Sequence, residues 1–136
     1  MLDERPESLF DRQAMAKIRW LQGDVELRRG APAEALLHYQ AAHRLRMELF
    51  EDDSEGVEMQ EDLANSHERV GRACAALGQT ELAAEHFAEC QRLRESVSAA
   101  DPDHRGRRLK LTMARARHGE VERASDAVQA GAVGAF

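Results

Sequence analysis

The chain of 136 residues has few aromatic side chains and few cysteines. Phe, Trp and Tyr together make up 4% of it, while the hydrophobic fraction of 43% contains much alanine. A core of alanine and leucine fits closely packed helices, and no alternating apolar run predicts a strand. The two cysteines, Cys74 and Cys90, are too few for a disulfide framework. We therefore expect an all-α domain in a reducing compartment.

Long apolar segments are missing as well. No run approaches the roughly 18 apolar residues that a membrane-spanning helix requires. The N-terminal residues 1–7 are acidic and lack the apolar region of a secretion signal. These features favour a cytoplasmic protein that makes no contact with a membrane.

The motifs of common catalytic sites are absent. The sequence contains no glycine-rich phosphate loop, no nucleophile elbow, no His-Glu-x-x-His and no Asp-rich calcium loop. Cys74, His86 and Cys90 could approach one another across two helices. However, both cysteines stand where small core residues are expected, and a fourth ligand cannot be named. We predict no enzyme activity, no metal and no cofactor.

Charge is unevenly distributed although the net charge is only −6. Residues 48–62 hold eight acidic and no basic side chains, whereas residues 105–117 hold six basic ones. The basic cluster has no interleaved aromatic residues and no nucleic-acid-reading motif, so nucleic-acid binding is not predicted. We expect the acidic start of the third helix to lie beside the basic start of the fifth.

The chain does contain an internal repeat with a constant offset of 48 residues. Residues 30–42 return as residues 78–90, with glycine, alanine and an aromatic ring at matching places. The matching positions are Gly23, Gly30, Ala35, Tyr39 and Ala42, and then Gly71, Gly78, Ala83, Phe87 and Cys90. A repeat of this length indicates similar units that stack on one another and leave a long groove for binding.

Six helices are predicted from prolines, glycines and apolar spacing. They run from Pro6 to Gly30, from Pro32 to about 51, from Val57 to Leu77, from Thr80 to about 99, from Asp101-Pro102 to Gly119, and from Glu120 to about Ala130. Two registers are open for the last unit. Gly119 matches either Gly78 with an offset of 41 or Gly71 with an offset of 48, and the first is preferred.

The repeated glycine, alanine and aromatic positions resemble those of the tetratricopeptide repeat (TPR) family over roughly residues 13 to 130. The resemblance implies one domain, an α-α superhelix of about three helical hairpins at residues 6–51, 55–99 and 102–130, the third degenerate. The period exceeds the usual 34 residues of the family. The chain therefore looks like its long-helix bacterial and kinesin-light-chain-like branch.

The same resemblance implies a non-catalytic module that binds a protein or peptide on the concave face, as a scaffold or sensor part of a bacterial regulatory system. The first helix of each hairpin lines that face, and its side chains are mostly basic, which favours an acidic partner. The groove residues expected on this ground are Lys17, Trp20, Asp24, Arg28, Asn65, Arg69, Arg72, Lys110, Met113 and Arg117. Trp20 has an alternative place as a wedge in the core.

Self-assembly is the alternative function. The last helices carry Val121, Val128, Val133 and Phe136, and no polar capping helix follows them in this sequence. An uncapped end of a helical stack invites a second copy, so a homodimer is the predicted alternative.

Overall fold

The computed structural model describes residues 8–134, with side chains through residue 131. Five helices follow one another: α1 (Leu9–Arg28), α2 (Pro32–Asp52), α3 (Val57–Ala76), α4 (Thr80–Ala100) and α5 (Arg105–Gly134). Each helix packs against the next, and α1 also touches α3. All regular secondary structure in residues 8–134 is helical, which confirms the predicted all-α class. Pro6, where the first helix was expected to begin, lies outside the described residues.

The 48-residue offset is kept by the helix starts. The helices α1, α3 and α5 begin at Leu9, Val57 and Arg105, and α2 and α4 begin at Pro32 and Thr80. The offset therefore continues into α5, and the preferred alternative of 41 residues is wrong.

The two turns within the hairpins need glycine. Gly30 and Gly78 have φ values of 79° and 78°, a left-handed conformation that side chains with a Cβ rarely adopt. Just beyond them, the amides of Ala31 and Gln79 each donate a hydrogen bond of 2.9 Å back to a carbonyl of the preceding helix. This is the Schellman arrangement, which satisfies the last carbonyls of α1 and α3.

Two further glycines let the helices of each hairpin approach closely. A Cβ added to Gly71 would lie 2.7 Å from Cε1 of Phe87, and one added to Gly23 would lie 2.5 Å from Cδ1 of Tyr39. Both rings are buried. Each ring thus packs directly on the backbone of the facing helix, at the place where the sequence pairs a small residue with an aromatic one.

The described residues form five helices and not the predicted six. Gly119 lies within α5, and its counterpart in the 48-residue register, Gly71, also lies inside a helix, α3. The counterpart of the turn glycines is Asp126, and without glycine at that place the helix continues. Pro102 does not open the helix either. Residues 101–103 form a turn, and Nδ1 of His104 accepts the backbone N–H of Arg107 at 3.2 Å.

None of the helices between residues 8 and 134 has the length and apolar character that crossing a bilayer requires.

Candidate binding site

The residues predicted to line a groove divide between two pockets. A polar pocket of about 390 Å³ between α1, α2 and α3 is lined by Asp24, Arg28, Arg69 and Arg72, among others. An apolar pocket of about 320 Å³ between α3, α4 and α5 is lined by Asn65, Lys110, Met113 and Arg117, among others. Lys17 is exposed and lines neither pocket.

One of the three arginines that line the polar pocket, Arg69, is paired with the only acidic lining residue, Asp24. The Asp24 carboxylate accepts a hydrogen bond from the Tyr39 hydroxyl at 2.5 Å and two from the Arg69 guanidinium at 3.2 and 3.3 Å. Burial opposes ionisation of Asp24. The hydrogen bonds from Arg69 and Tyr39 and the charges of Arg69 and Arg72 outweigh it and lower the pKa of the carboxyl. Arg69 is therefore a structural partner of Asp24 and is not available to a ligand without breaking that pair.

Trp20 belongs to the core and not to a groove, since its side chain is only 7% exposed. The guanidinium carbons of Arg46 and Arg69 lie 4.3 and 4.6 Å from the centroid of its ring, which is cation–π geometry. Arg46 is itself 5% exposed, and its charge is matched by the Asp62 carboxylate at 3.3 Å. The junction between α1, α2 and α3 is thus filled by an indole and carries a paired cation.

The apolar pocket repeats the surroundings of Trp20 one unit further along the chain. Tyr39, Ala42, Arg46 and Arg69 correspond to Phe87, Cys90, Arg94 and Arg117, and the last four all line the pocket. The counterpart of Trp20 is Glu68, whose carboxylate pairs with Arg117. The junction between α3, α4 and α5 therefore has the walls of the first junction without its indole.

The buried arginine of the second junction forms no ion pair with a residue of 8–131, although its charge and that of Asp62 act on each other. Arg94 is 5% exposed, as Arg46 is, and its Nη2 donates to Oδ1 of Asn65 at 2.6 Å. Its Nη1 has no hydrogen-bond partner among those residues. The counterpart of Asp62 is Lys110, which lines the same pocket. A carboxylate in the first junction is replaced by a second cation in this one.

Apolar side chains form the outer wall of this pocket. Leu109 and Met113 of α5 are 61% and 53% exposed, and Phe87 of α4 closes the inner side. The pocket thus combines an open apolar wall with two cations that form no ion pair among residues 8–131, Arg94 and Lys110, besides Arg117, which is paired with Glu68. This combination can hold an apolar group next to an anion.

A second constellation lies apart from this pocket. His43 of α2, His67 of α3 and His86 of α4 are half-buried, with ring centroids 4.5 to 5.7 Å apart. Desolvation lowers the pKa of all three, to about 4 for His43 and about 3 for His67. All three rings are therefore neutral at pH 7. Sequence reasoning missed this cluster because its members come from three helices and share no motif.

Of the residues predicted for self-assembly, the structure describes the side chains of Val121 and Val128, which differ in exposure. Val121 is partly buried and packs against the core, whereas Val128 is 65% exposed. The side chain of Val133 and the whole of Phe136 lie outside the described residues. A homodimer through these residues stays a prediction.

The expected contact between the acidic and basic segments is present. The Arg107 guanidinium of α5 lies 3.4 Å from the Glu61 carboxylate of α3. Both side chains are about one-fifth exposed, so the pair helps to hold α5 beside α3.

Comparison of the chain with protein-family models, with curated proteins and with solved structures found no match in any of the three. The case for a function therefore comes from the residues of the chain itself.

Proposed function

We propose that the chain is a non-catalytic protein-binding module that takes an acidic segment of a partner into the apolar pocket between α3, α4 and α5. The observation that carries the proposal is Arg94, a 5% exposed guanidinium that forms no ion pair with a residue of 8–131 and whose Nη1 has no hydrogen-bond partner there. The partner supplies a carboxylate to this arginine and a large apolar side chain, aromatic in its best form, to the pocket.

The charge argument compares the two junctions. Removing one member of a buried ion pair lowers stability by about 3–5 kcal/mol, because the remaining charge stays desolvated. Arg46 avoids this cost through Asp62, but Arg94 faces Lys110 at the corresponding place. A carboxylate entering the pocket gains a charge-assisted hydrogen bond from Nη1 of Arg94 and the attraction of Lys110.

The shape argument also uses the repeat. Around Trp20 the same kind of wall encloses an indole, and the corresponding residue Glu68 does not fill that space. An aromatic side chain of a partner can lie there as Trp20 does, with the Arg94 guanidinium near its face. Buried aromatic anchors of this kind supply much of the energy of peptide recognition.

The proposal includes a TPR-like scaffold. The constant 48-residue offset of the helix starts and the repeated contact of glycine with a ring support an α-α superhelix built from similar hairpins. A role as the scaffold or sensor part of a bacterial regulatory system belongs to the same proposal.

Labelled acidic peptides test the proposal by fluorescence anisotropy. One peptide carries a single Trp among Asp and Glu residues, the second has Ala in its place, and the third has Lys for every acid. We expect the first to bind most tightly and the third not to bind. Because the charges are partly solvated, rising salt should weaken the binding.

Two substitutions in the pocket and a matched control make the test specific. Lys110→Asp gives Arg94 the partner that Arg46 has, and Glu68→Trp fills the pocket from within, so each should abolish binding. Lys17→Asp makes the same charge change on an exposed site outside both pockets and should leave binding nearly intact. Equal losses in Lys110→Asp and Lys17→Asp, or no preference for the Trp peptide, would contradict the proposal.

A further inference from the structure

The three clustered histidines form a site separate from the apolar pocket. One ring nitrogen of His43, one of His67 and one of His86 lie within 4.8 Å of one another. The nearest pair, Nδ1 of His67 and Nδ1 of His86, is 3.0 Å apart. Two imidazole nitrogens at this distance share either one proton or one cation.

The spacing suits a transition-metal ion. Two ligand nitrogens of a tetrahedral zinc site, each about 2.0–2.1 Å from the ion, are about 3.4 Å apart. The pair of His67 and His86 is already close to that separation. The third nitrogen lies within 4.8 Å of the other two, so it has to approach by at most about 1.4 Å to reach the same separation.

A neighbouring hydroxyl orients the third ring. Nδ1 of His43 lies 2.8 Å from Oγ of Ser66, which is fully buried. With Nδ1–H donating to that oxygen, the lone pair of His43 is on Nε2. Metal-binding histidines have this kind of outer partner, which selects the tautomer and holds the ring.

Packing in the repeat does not demand imidazoles at these places. In the 48-residue register His43 corresponds to Gln91, and His67 corresponds to Arg19 and Arg115. Only His86 has a histidine counterpart, His38. The cluster is therefore specific to the junction of α2, α3 and α4.

The surroundings admit a cation. The carboxylates of Glu85 and Glu89 act on His86 from α4, and the nearby cationic groups are Arg92, whose charge acts on His67, and Arg44, which lines the adjoining cleft. That cleft, of about 270 Å³, is lined by two of the three rings, those of His43 and His86.

We propose that His43, His67 and His86 bind one divalent first-row transition ion of the Zn²⁺ type. Three imidazoles fit the borderline ions Zn²⁺, Co²⁺, Ni²⁺ and Cu²⁺ and do not fit Mg²⁺, which prefers oxygen ligands. The three histidines leave the fourth coordination position of a tetrahedral ion to water or to an exogenous ligand.

Titration of the whole chain with Zn²⁺ at pH 7.5, followed by calorimetry, tests the proposal. We expect one ion per chain, no binding of Mg²⁺, and a thermal midpoint that rises with the logarithm of the Zn²⁺ concentration. Co²⁺ is the second probe, and it should give the visible absorption bands of a tetrahedral ion with nitrogen ligands.

Single variants identify the ligands. His67→Gln and His86→Gln should each weaken Zn²⁺ binding at least tenfold, whereas His38→Gln, the counterpart of His86 outside the cluster, should bind like the wild type. Circular dichroism shows whether each variant folds. If His67→Gln does not fold, His43→Gln takes its place in the Zn²⁺ titration. Wild-type affinity in the folded cluster variants would overturn the proposal. So would the absence of one-to-one binding, or a thiolate-to-Co²⁺ band that reports Cys74 or Cys90.

Discussion

The close contact between Gly71 and Phe87 leads to the most quantitative prediction. In Gly71→Ala the new methyl group would lie 2.7, 2.9 and 3.0 Å from three carbons of the Phe87 ring. Optimal carbon–carbon contacts are about 3.5–4.0 Å, so the ring or a helix has to move by nearly 1 Å. Phe87 is 3% exposed, so the movement has to be taken up by its buried neighbours or by the adjoining pocket, which the ring lines.

Two effects of opposite sign add up in this variant. Overpacking costs about 1–3 kcal/mol. Replacing glycine by alanine inside a helix contributes about 1 kcal/mol of stability through helix propensity. The net result is a loss of about 0–2 kcal/mol.

Gly119→Ala is the matched control. Gly119 is also inside a helix, but an added Cβ meets only Nη1 of Arg123 at 3.3 Å, the far end of a flexible side chain. This variant should therefore be more stable than the wild type by about 0.5–1 kcal/mol. Urea unfolding followed by circular dichroism should separate Gly119→Ala from Gly71→Ala by about 1–3 kcal/mol. If the two variants are equally stable, Gly71 is not the contact point of the two helices.

Two further outcomes concern a turn and the histidines. Gly78→Ala should lose about 1–2 kcal/mol in a thermal melt, because the residue is left-handed, and Gly78→Asn should lose less. Since nothing lies within 4 Å of an added Cβ there, an unchanged midpoint would refute the strain. Because the pKa values of His43 and His67 are lowered in the folded chain, these histidines take up protons at a higher pH when the chain is unfolded. The free energy of unfolding therefore falls as the pH drops from 6.5 towards 4. Urea unfolding at a series of pH values should show a decrease in the free energy of unfolding of up to about 1.4 kcal/mol per pH unit for each histidine. The slope should be smaller in His67→Gln.

Helices α1 to α4 could be predicted because their signals are local. Prolines and glycines mark the ends, and the spacing of alanine, leucine and the rings marks the buried faces. Gly30 and Gly78 stop helices through their own backbone conformation, which depends on no distant residue. The same rule was wrong for Gly119. Whether a glycine ends a helix or lies inside one depends on its position in the repeat. The degenerate third unit was compatible with two registers, which give Gly119 different positions.

The charge pattern of the site could be predicted only in part. Side chains that face a common concavity follow from helical periodicity, and eight of the ten expected residues do line one of the two pockets. Which cations are paired depends on contacts between helices. Arg69 was expected to be open to a ligand, but Asp24 of another helix holds it. The histidine cluster depends on three helices at once, and no linear spacing reveals it.

The repeat supplies an internal reference for the second junction. Two of the changes from the first junction bear on the pocket most directly, Lys110 in the place of Asp62 and Glu68 in the place of Trp20. The first removes the partner of a buried guanidinium and the second removes the indole beside it, although the first junction shows that the same backbone accommodates both. A buried guanidinium without an ion pair and an unfilled aromatic position are both unfavourable for stability, so packing alone does not explain the pair. Both changes affect the same 320 Å³ pocket. The acidic, apolar partner segment that we propose would give both departures a single cause.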